Sequence, residues 1–205
     1  FGYRYWDCYC QIIYNSLMGN YTGIILAGGK SQRMGTDKGL LLLDGKPFVS
    51  YIYEALQPIV GENCIIVSSN PDYDFLGCTR VEDIIPNKGP LGGIYTGLKY
   101  SKTKMNIVIS VDAPLVSTAL LQWMFSKHSE LFLVSQLLVD GKTNPLVAVY
   151  DRSIRIQISE AIAGNKLKVR DLVDGVIHQD VQVPEKWKNQ LVNINTPEEY
   201  QNLKR

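Results

Sequence analysis

A short apolar run, Gly23-Ile24-Ile25-Leu26, opens directly into Ala27-Gly28-Gly29-Lys30-Ser31-Gln32-Arg33-Met34-Gly35-Thr36-Asp37-Lys38. A continuous apolar run bounded by glycines reads as a buried β-strand, the kind found in parallel sheets covered on both faces. The loop that follows is rich in glycine and carries three separated cations, Lys30, Arg33 and Lys38. Glycines let backbone N–H groups converge, and the cations add charge. Such a loop at the carboxyl end of a parallel strand is built to hold phosphates. Spacing excludes the two commonest cradles. A P-loop would need its first glycine after the strand and closer to Gly29-Lys30-Ser31 than Gly23 is. The dinucleotide fingerprint fails because Gly28 and Gly29 are adjacent and the next glycine is Gly35.

The rest of the chain repeats the strand-then-helix pattern. Strands are expected at 22–27, 63–68, 79–82 and 106–111, and helices at 47–60, 91–101, 117–127, 151–163 and 196–204. Pro47 suits a helix first turn, and Ser117 is a natural N-cap ahead of Leu120 and Leu121. Alternation of this sort implies βαβ units and a parallel sheet. Residues 131–139 and 144–150 flank the tight-turn signal Asp140-Gly141-Lys142 and read as a hairpin inserted into the sheet. The expected architecture is α/β, a three-layer α/β/α Rossmann-like domain with a mostly parallel mixed sheet and an inserted β-hairpin. Its site should lie along the carboxyl ends of the parallel strands.

Composition narrows the function classes. The 205 residues are 45% hydrophobic and 20% charged, with a formal net charge of +1. That is the balance of a globular domain, without the basic field expected of a nucleic-acid binder. No apolar stretch approaches the roughly 20 residues of a membrane span. Cys8, Cys10, Cys64 and Cys78 form neither a disulfide framework nor a complete zinc spacing. Reduced thiols beside a nucleotide site point to the cytoplasm. Residues 1–17 are crowded with Tyr, Trp and Cys, show no periodicity, and precede Met18. They are expected to be a non-native or unstructured extension, with one domain over 18–205.

Asp112 is the strongest catalytic candidate. Ile107-Val108-Ile109-Ser110-Val111 reads as a buried strand that Asp112-Ala113-Pro114 ends, so the carboxylate points into the crevice. A carboxylate there is a hard oxygen ligand for Mg²⁺ bridging phosphate oxygens. Arg33 offers a forked phosphate contact and Lys38 a point charge. Asn70 and Asp83 follow strands and meet the cleft, although such residues also form turns. Gly89-Pro90-Leu91-Gly92-Gly93 begins a helix whose N-terminus has free N–H groups. In Asn193-Ile194-Asn195-Thr196-Pro197-Glu198-Glu199, helix capping accounts for 196–199 and leaves Asn193 and Asn195 for function. Lys168 and Arg170 are candidates for an anionic group or a solvated charge run.

These segments together resemble a known family. The series L-A-G-G-x-S-x-R-M-G-x-D-K, Gly45-Lys46-Pro47, Asn70, Asp83, the Gly89–Gly93 turn, Asp112-Ala113-Pro114 and Asn193 to Glu199 is similar to the nucleotidyltransferases of GT-A-like, nucleotide-diphospho-sugar transferase type. It most resembles the molybdenum cofactor guanylyltransferases, over about residues 21 to 204. The resemblance implies transfer of GMP from GTP to the phosphate of molybdenum-molybdopterin, with release of pyrophosphate and Mg²⁺ as cofactor. It implies catalytic roles for Arg33, Lys38 and Asp112, with Asp112 as metal ligand. Leu26, Ala27, Gly28, Gly29, Lys38, Asn70, Asp83 and Asp112 would bind the nucleotide, and Asn193, Asn195 and Arg170 the acceptor. Other molybdenum cofactor proteins or apo-enzymes would be further partners. Val111 stands where the family often has Cys, and Asn144-Pro145 where His-Pro is common. A cytidylyltransferase, another NTP transferase or a non-catalytic nucleotide-binding module remain alternatives at this point.

Overall fold

The computed structural model of the chain describes residues 21–28, 37–194 and 196–203. The expectation for residues 1–17 lies outside them. Among the described residues a seven-stranded sheet carries the fold, its strands lying side by side in the order Thr79–Val81, Cys64–Val67, Tyr21–Leu26, Met105–Ser110, Lys142–Asp151, Val134–Val139 and His178–Gln182. Its strands are β1 (Tyr21–Leu26), β4 (Cys64–Val67), β5 (Thr79–Val81), β6 (Met105–Ser110), β7 (Val134–Val139), β8 (Lys142–Asp151) and β9 (His178–Gln182). A separate two-stranded ribbon pairs β2 (Leu42–Leu43) with β3 (Lys46–Pro47). Only β8 runs against its neighbours in the large sheet, so the sheet is mostly parallel and mixed, as the sequence implied.

Helices cover both faces. On one side lie α1 (Phe48–Val60) and α3 (Thr118–Lys127). On the other lie α2 (Gly89–Tyr100), α4 (Arg155–Ala163) and α5 (Val169–Asp174). Two short helices, α6 (Glu185–Lys188) and α7 (Pro197–Leu203), complete the described chain. The strands alternate faces as the pleat requires: Ile25 and Ile66 enter the α1/α3 core, Ile24, Leu26, Ile65 and Val67 the opposite one. In α1, Val49, Ile52, Leu56, Ile59 and Val60 repeat at helical spacing and are buried. Gly93 lets α2 lie on the sheet, since a methyl group there would sit 3.1 Å from Leu26 Cδ2.

The hairpin turns through Asp140 (φ 49°) and Gly141 (φ 75°), the two positive φ values that a two-residue turn between twisted strands demands. Only Val147–Asp151 of β8 pairs with β6; Lys142 to Asn144 pair with β7 alone, so the limb overhangs the sheet. Several features differ from the sequence reading. The helix expected over 151–163 becomes α-helical only at Arg155, after Asp151 ends β8 and a 3₁₀ turn spans Arg152–Ile154, and the β2–β3 ribbon and α6 were not expected. Pro47 ends β3 and caps α1 from outside instead of occupying its first turn. The helix expected over 91–101 starts at Gly89. Strand β9 and helix α5 were not expected, because His178-Gln179-Asp180-Val181-Gln182 has no apolar run and sits on the sheet edge, where only Val181 is buried. Cys64 and Cys78 are free thiols, as expected. No helix among the described residues is long and apolar enough to cross a membrane.

Candidate active site

The carboxyl ends of β1, β4 and β5 and the start of α2 enclose a cleft of about 580 Å³. Leu26, Ala27 and Gly28 form its floor, with Asn70 and Asp83 on its walls. Four of the residues expected to bind a nucleotide by backbone or side chain are thus brought together with Asp83. Gly29 and Arg33 lie outside the described residues, as does Lys30. Asp83 sits opposite Gly28, where an added Cβ would be 3.7 Å from its Oδ2. Burial raises the Asp83 pKa above its ordinary value, and the Thr96 hydroxyl, donating at 3.5 Å, works against the rise. The same hydroxyl accepts from the Ile84 backbone at 3.1 Å, which ties the turn carrying Asp83 to α2.

Asp112 follows β6 and is not spent on capping. The N-cap of α3 is Ser117, whose Oγ accepts from the Leu120 N–H at 3.3 Å. The Asp112 carboxylate instead accepts from Lys38 Nζ at 2.9 Å, with Lys38 only 13% exposed and Asp112 29%. A pair this sheltered from solvent holds better than one on the surface. It brings the glycine-rich loop and the end of β6, 74 residues apart in sequence, to one point.

Lys38 opens a single 3₁₀ turn, Lys38–Leu40, and Asp37 caps it by accepting from the Gly39 N–H at 3.1 Å. Asp37 is held in turn from the β4–β5 connection. Asn70 Nδ2 donates to its Oδ2 at 3.0 Å, and the Tyr73 hydroxyl donates to its Oδ1. Asn70 Oδ1 also caps the following 3₁₀ helix, Pro71–Leu76, accepting from Asp72 N–H at 3.0 Å. The Asn70 side chain therefore lines the cleft while its amide serves the loop. Sequence reasoning missed Asp37 and Tyr73 as site residues. Asp37 stood inside the motif, but Tyr73 carried no local signal.

A second cleft, of about 560 Å³, opens beneath the overhanging hairpin. Its lining includes Lys142, Asn144, Arg170 and Asn193, so two of the expected acceptor residues meet there. Asn195 lies outside the described residues. The Arg170 guanidinium donates to the Thr143 carbonyl at 3.2 Å, which aims it along the limb. Lys168 is not in this cleft. It precedes α5 and faces a separate groove with Glu160 and Asp171. The Ile194 N–H donates to the Asp112 carbonyl at 2.9 Å, so the segment that follows Asn193 is fastened to Asp112, although neither Asp112 nor Lys38 itself lines either cleft. Thr196 caps α7 as expected: its Oγ1 accepts from Glu199 N–H at 3.2 Å and Glu199 Oε2 accepts from Thr196 N–H at 2.9 Å.

Residues 23–181 match the sequence model of the family described as MobA-like NTP transferase domain. A probable molybdenum cofactor guanylyltransferase of Flavobacterium johnsoniae is 40% identical over 186 residues, spanning 91% of this chain and 97% of that protein. A crystal structure of an Aquifex aeolicus protein superposes with a TM-score of 0.75 at 30% identity, covering 86% of this chain and 94% of the other. The molybdopterin-guanine dinucleotide biosynthesis protein A of Archaeoglobus fulgidus shares the fold, with a TM-score of 0.75 at 20% identity over 89% of this chain and 96% of its own.

Proposed function

The chain belongs to the MobA-like NTP transferase family, and from that premise we propose that it transfers GMP from GTP to the phosphate of molybdenum-bearing molybdopterin, forming the guanine dinucleotide cofactor. The observation that carries this reading is the Lys38–Asp112 pair, tied to one cleft through Asp37, the lining residue that precedes Lys38, and to the other through the Ile194 N–H bond to the Asp112 carbonyl, next to the lining residue Asn193. In the reaction an oxygen of the acceptor phosphate bonds to the α-phosphorus of GTP. The bond from that phosphorus to the bridging oxygen breaks, and pyrophosphate leaves. No nucleophilic side chain is needed, because positioning and charge neutralisation supply the catalysis.

In this reading the Leu26–Gly28 backbone and Asp83 seat the nucleotide, and Arg170 and Asn193 receive the acceptor. Gly29, Arg33 and Asn195 are assigned by the family pattern. The donor chemistry suits Mg²⁺. Asp112 offers one hard carboxylate oxygen, and no group of three or more potential ligands clusters among the described residues. A magnesium ion typically takes one or two carboxylates and completes its shell with substrate phosphates and water. Bound there, it would neutralise phosphate charge. Lys38 would then exchange its Asp112 partner for a phosphate oxygen, keeping its charge in the site. The proposed compartment is the cytoplasm, and the proposed further partners are other molybdenum cofactor proteins or apo-enzymes.

Competition among GTP, CTP, ATP and UTP with Mg²⁺ and the pterin acceptor, read by pyrophosphate release, tests the assignment. GTP should be preferred by at least about tenfold, the discrimination that a site hydrogen-bonding one base can supply. Preference for CTP would overturn the guanylyl reading, and no release with any nucleotide would favour a binding module.

A further inference from the structure

We propose that Tyr73 is a positioning residue for Lys38: through Asp37 it fixes the backbone from which the lysine reaches the phosphate site. The role of Lys38 in transfer rests on the GMP-transfer reading above; the geometry does not. Lysine has a long, flexible stem, so where its ammonium arrives depends on how firmly its backbone is held. Here that backbone is one 3₁₀ turn of three residues, too short to hold itself. Its cap, Asp37, accepts from Gly39 N–H, Asn70 Nδ2 and the Tyr73 hydroxyl, so three side-chain and backbone anchors of the turn converge on one carboxylate.

Tyr73 is the rigid end of this chain of contacts. It is 1% exposed and belongs to the core beneath α1, so its ring cannot drift. A phenylalanine would fill that space equally well; the hydroxyl is the part with a destination. Burial and the adjacent Asp37 carboxylate push the phenol pKa far up, so the group stays a donor at any working pH. Gly39 supplies an independent sign. Its φ is not in the left-handed region, so no turn demands glycine there. A methyl group at Gly39 would instead lie on the Tyr73 hydroxyl and 3.0 Å from Cε1 and Cζ. The loop approaches Tyr73 so closely that only glycine fits.

The test is Tyr73→Phe, which keeps the ring. Its melting temperature should fall by only about 2–4 °C, the scale of one lost hydrogen bond. Spectra of ligand-free protein labelled at the lysine ε-carbons give a readout independent of turnover, with Lys38 assigned from Lys38→Met. In Tyr73→Phe the Lys38 signal should move toward that of exposed lysines while the others stay. In pyrophosphate release kcat should fall about 10- to 30-fold with KM for GTP within about threefold, as expected when a charge is misplaced and not lost. An unmoved Lys38 signal, or a loss confined to KM, would overturn the proposal. If wild-type protein releases no pyrophosphate, the transfer reading falls, and the Lys38 spectrum still decides the clamp.

Discussion

The two clefts are nearly equal in volume, about 580 and 560 Å³, but they are made of different material. The first is built on the ends of β1, β4 and β5, and its polar groups are already engaged: Asp37 with Asn70 and Tyr73, Asp83 with Thr96. The second lies under the free end of a hairpin, and its cations, Lys142 and Arg170, are exposed. Groups on strand ends with locked neighbours hold a ligand to one geometry, whereas long exposed side chains adapt to it. The contrast fits a nucleotide whose α-phosphate must be placed to within a fraction of an ångström, facing an acceptor that needs only its phosphate end captured.

The largest expected effect falls on Asp112, which is bonded through Lys38 toward the first cleft and through Ile194 toward the second. Asp112→Ala should cut turnover by about a thousandfold or more, since the proposed metal ligand is removed, while the melting temperature changes little. Near-normal pyrophosphate release would place the chemistry elsewhere and dissolve the two-cleft comparison. Arg170→Ala should raise KM for the pterin acceptor by about tenfold and leave KM for GTP unchanged, the loss of one charged contact. A rise in KM for GTP instead would exchange the roles of the clefts.

The smallest effect is a matter of pH within the first cleft. Folding raises the Asp83 pKa above 3.8, so the folded protein holds that proton more tightly than the unfolded chain. Its stabilising contribution is complete below the unfolded value and is lost as pH rises through the folded value. At pH 7 the ionised carboxylate is therefore a small burden. Asp83→Asn should raise the melting temperature by about 1–2 °C at pH 7, and the gain should shrink as pH approaches 4. A gain independent of pH would assign it to packing.

What could be read in the sequence was whatever is local. The buried parallel strands announce themselves as apolar runs, and Ser117, Thr196 and the Asp140-Gly141 turn as caps and turns, because each answers to its neighbours in the chain. Asp112 was legible for the same reason, standing between an apolar run and a proline. Strand β9 was not, since an edge strand of polar residues owes its structure to pairing with β7. Nor was the Tyr73–Asp37 contact, which joins positions 36 apart with no periodicity between them. Lys168 and Arg170 looked equivalent as charges, but one precedes α5 and the other lies within it, which sends them to different grooves.

The overhang of β8 has a consequence for how such a protein can change. Among the strands, residues 142 to 144 pair with β7 alone, and Arg170 of α5 braces the limb from the side through the Thr143 carbonyl. Lengthening, shortening or recharging it would alter the wall of the second cleft, the proposed acceptor site, away from the strand ends that line the first. New acceptors are thus open to the fold through a few residues at the tip, with the transfer chemistry left as it stands.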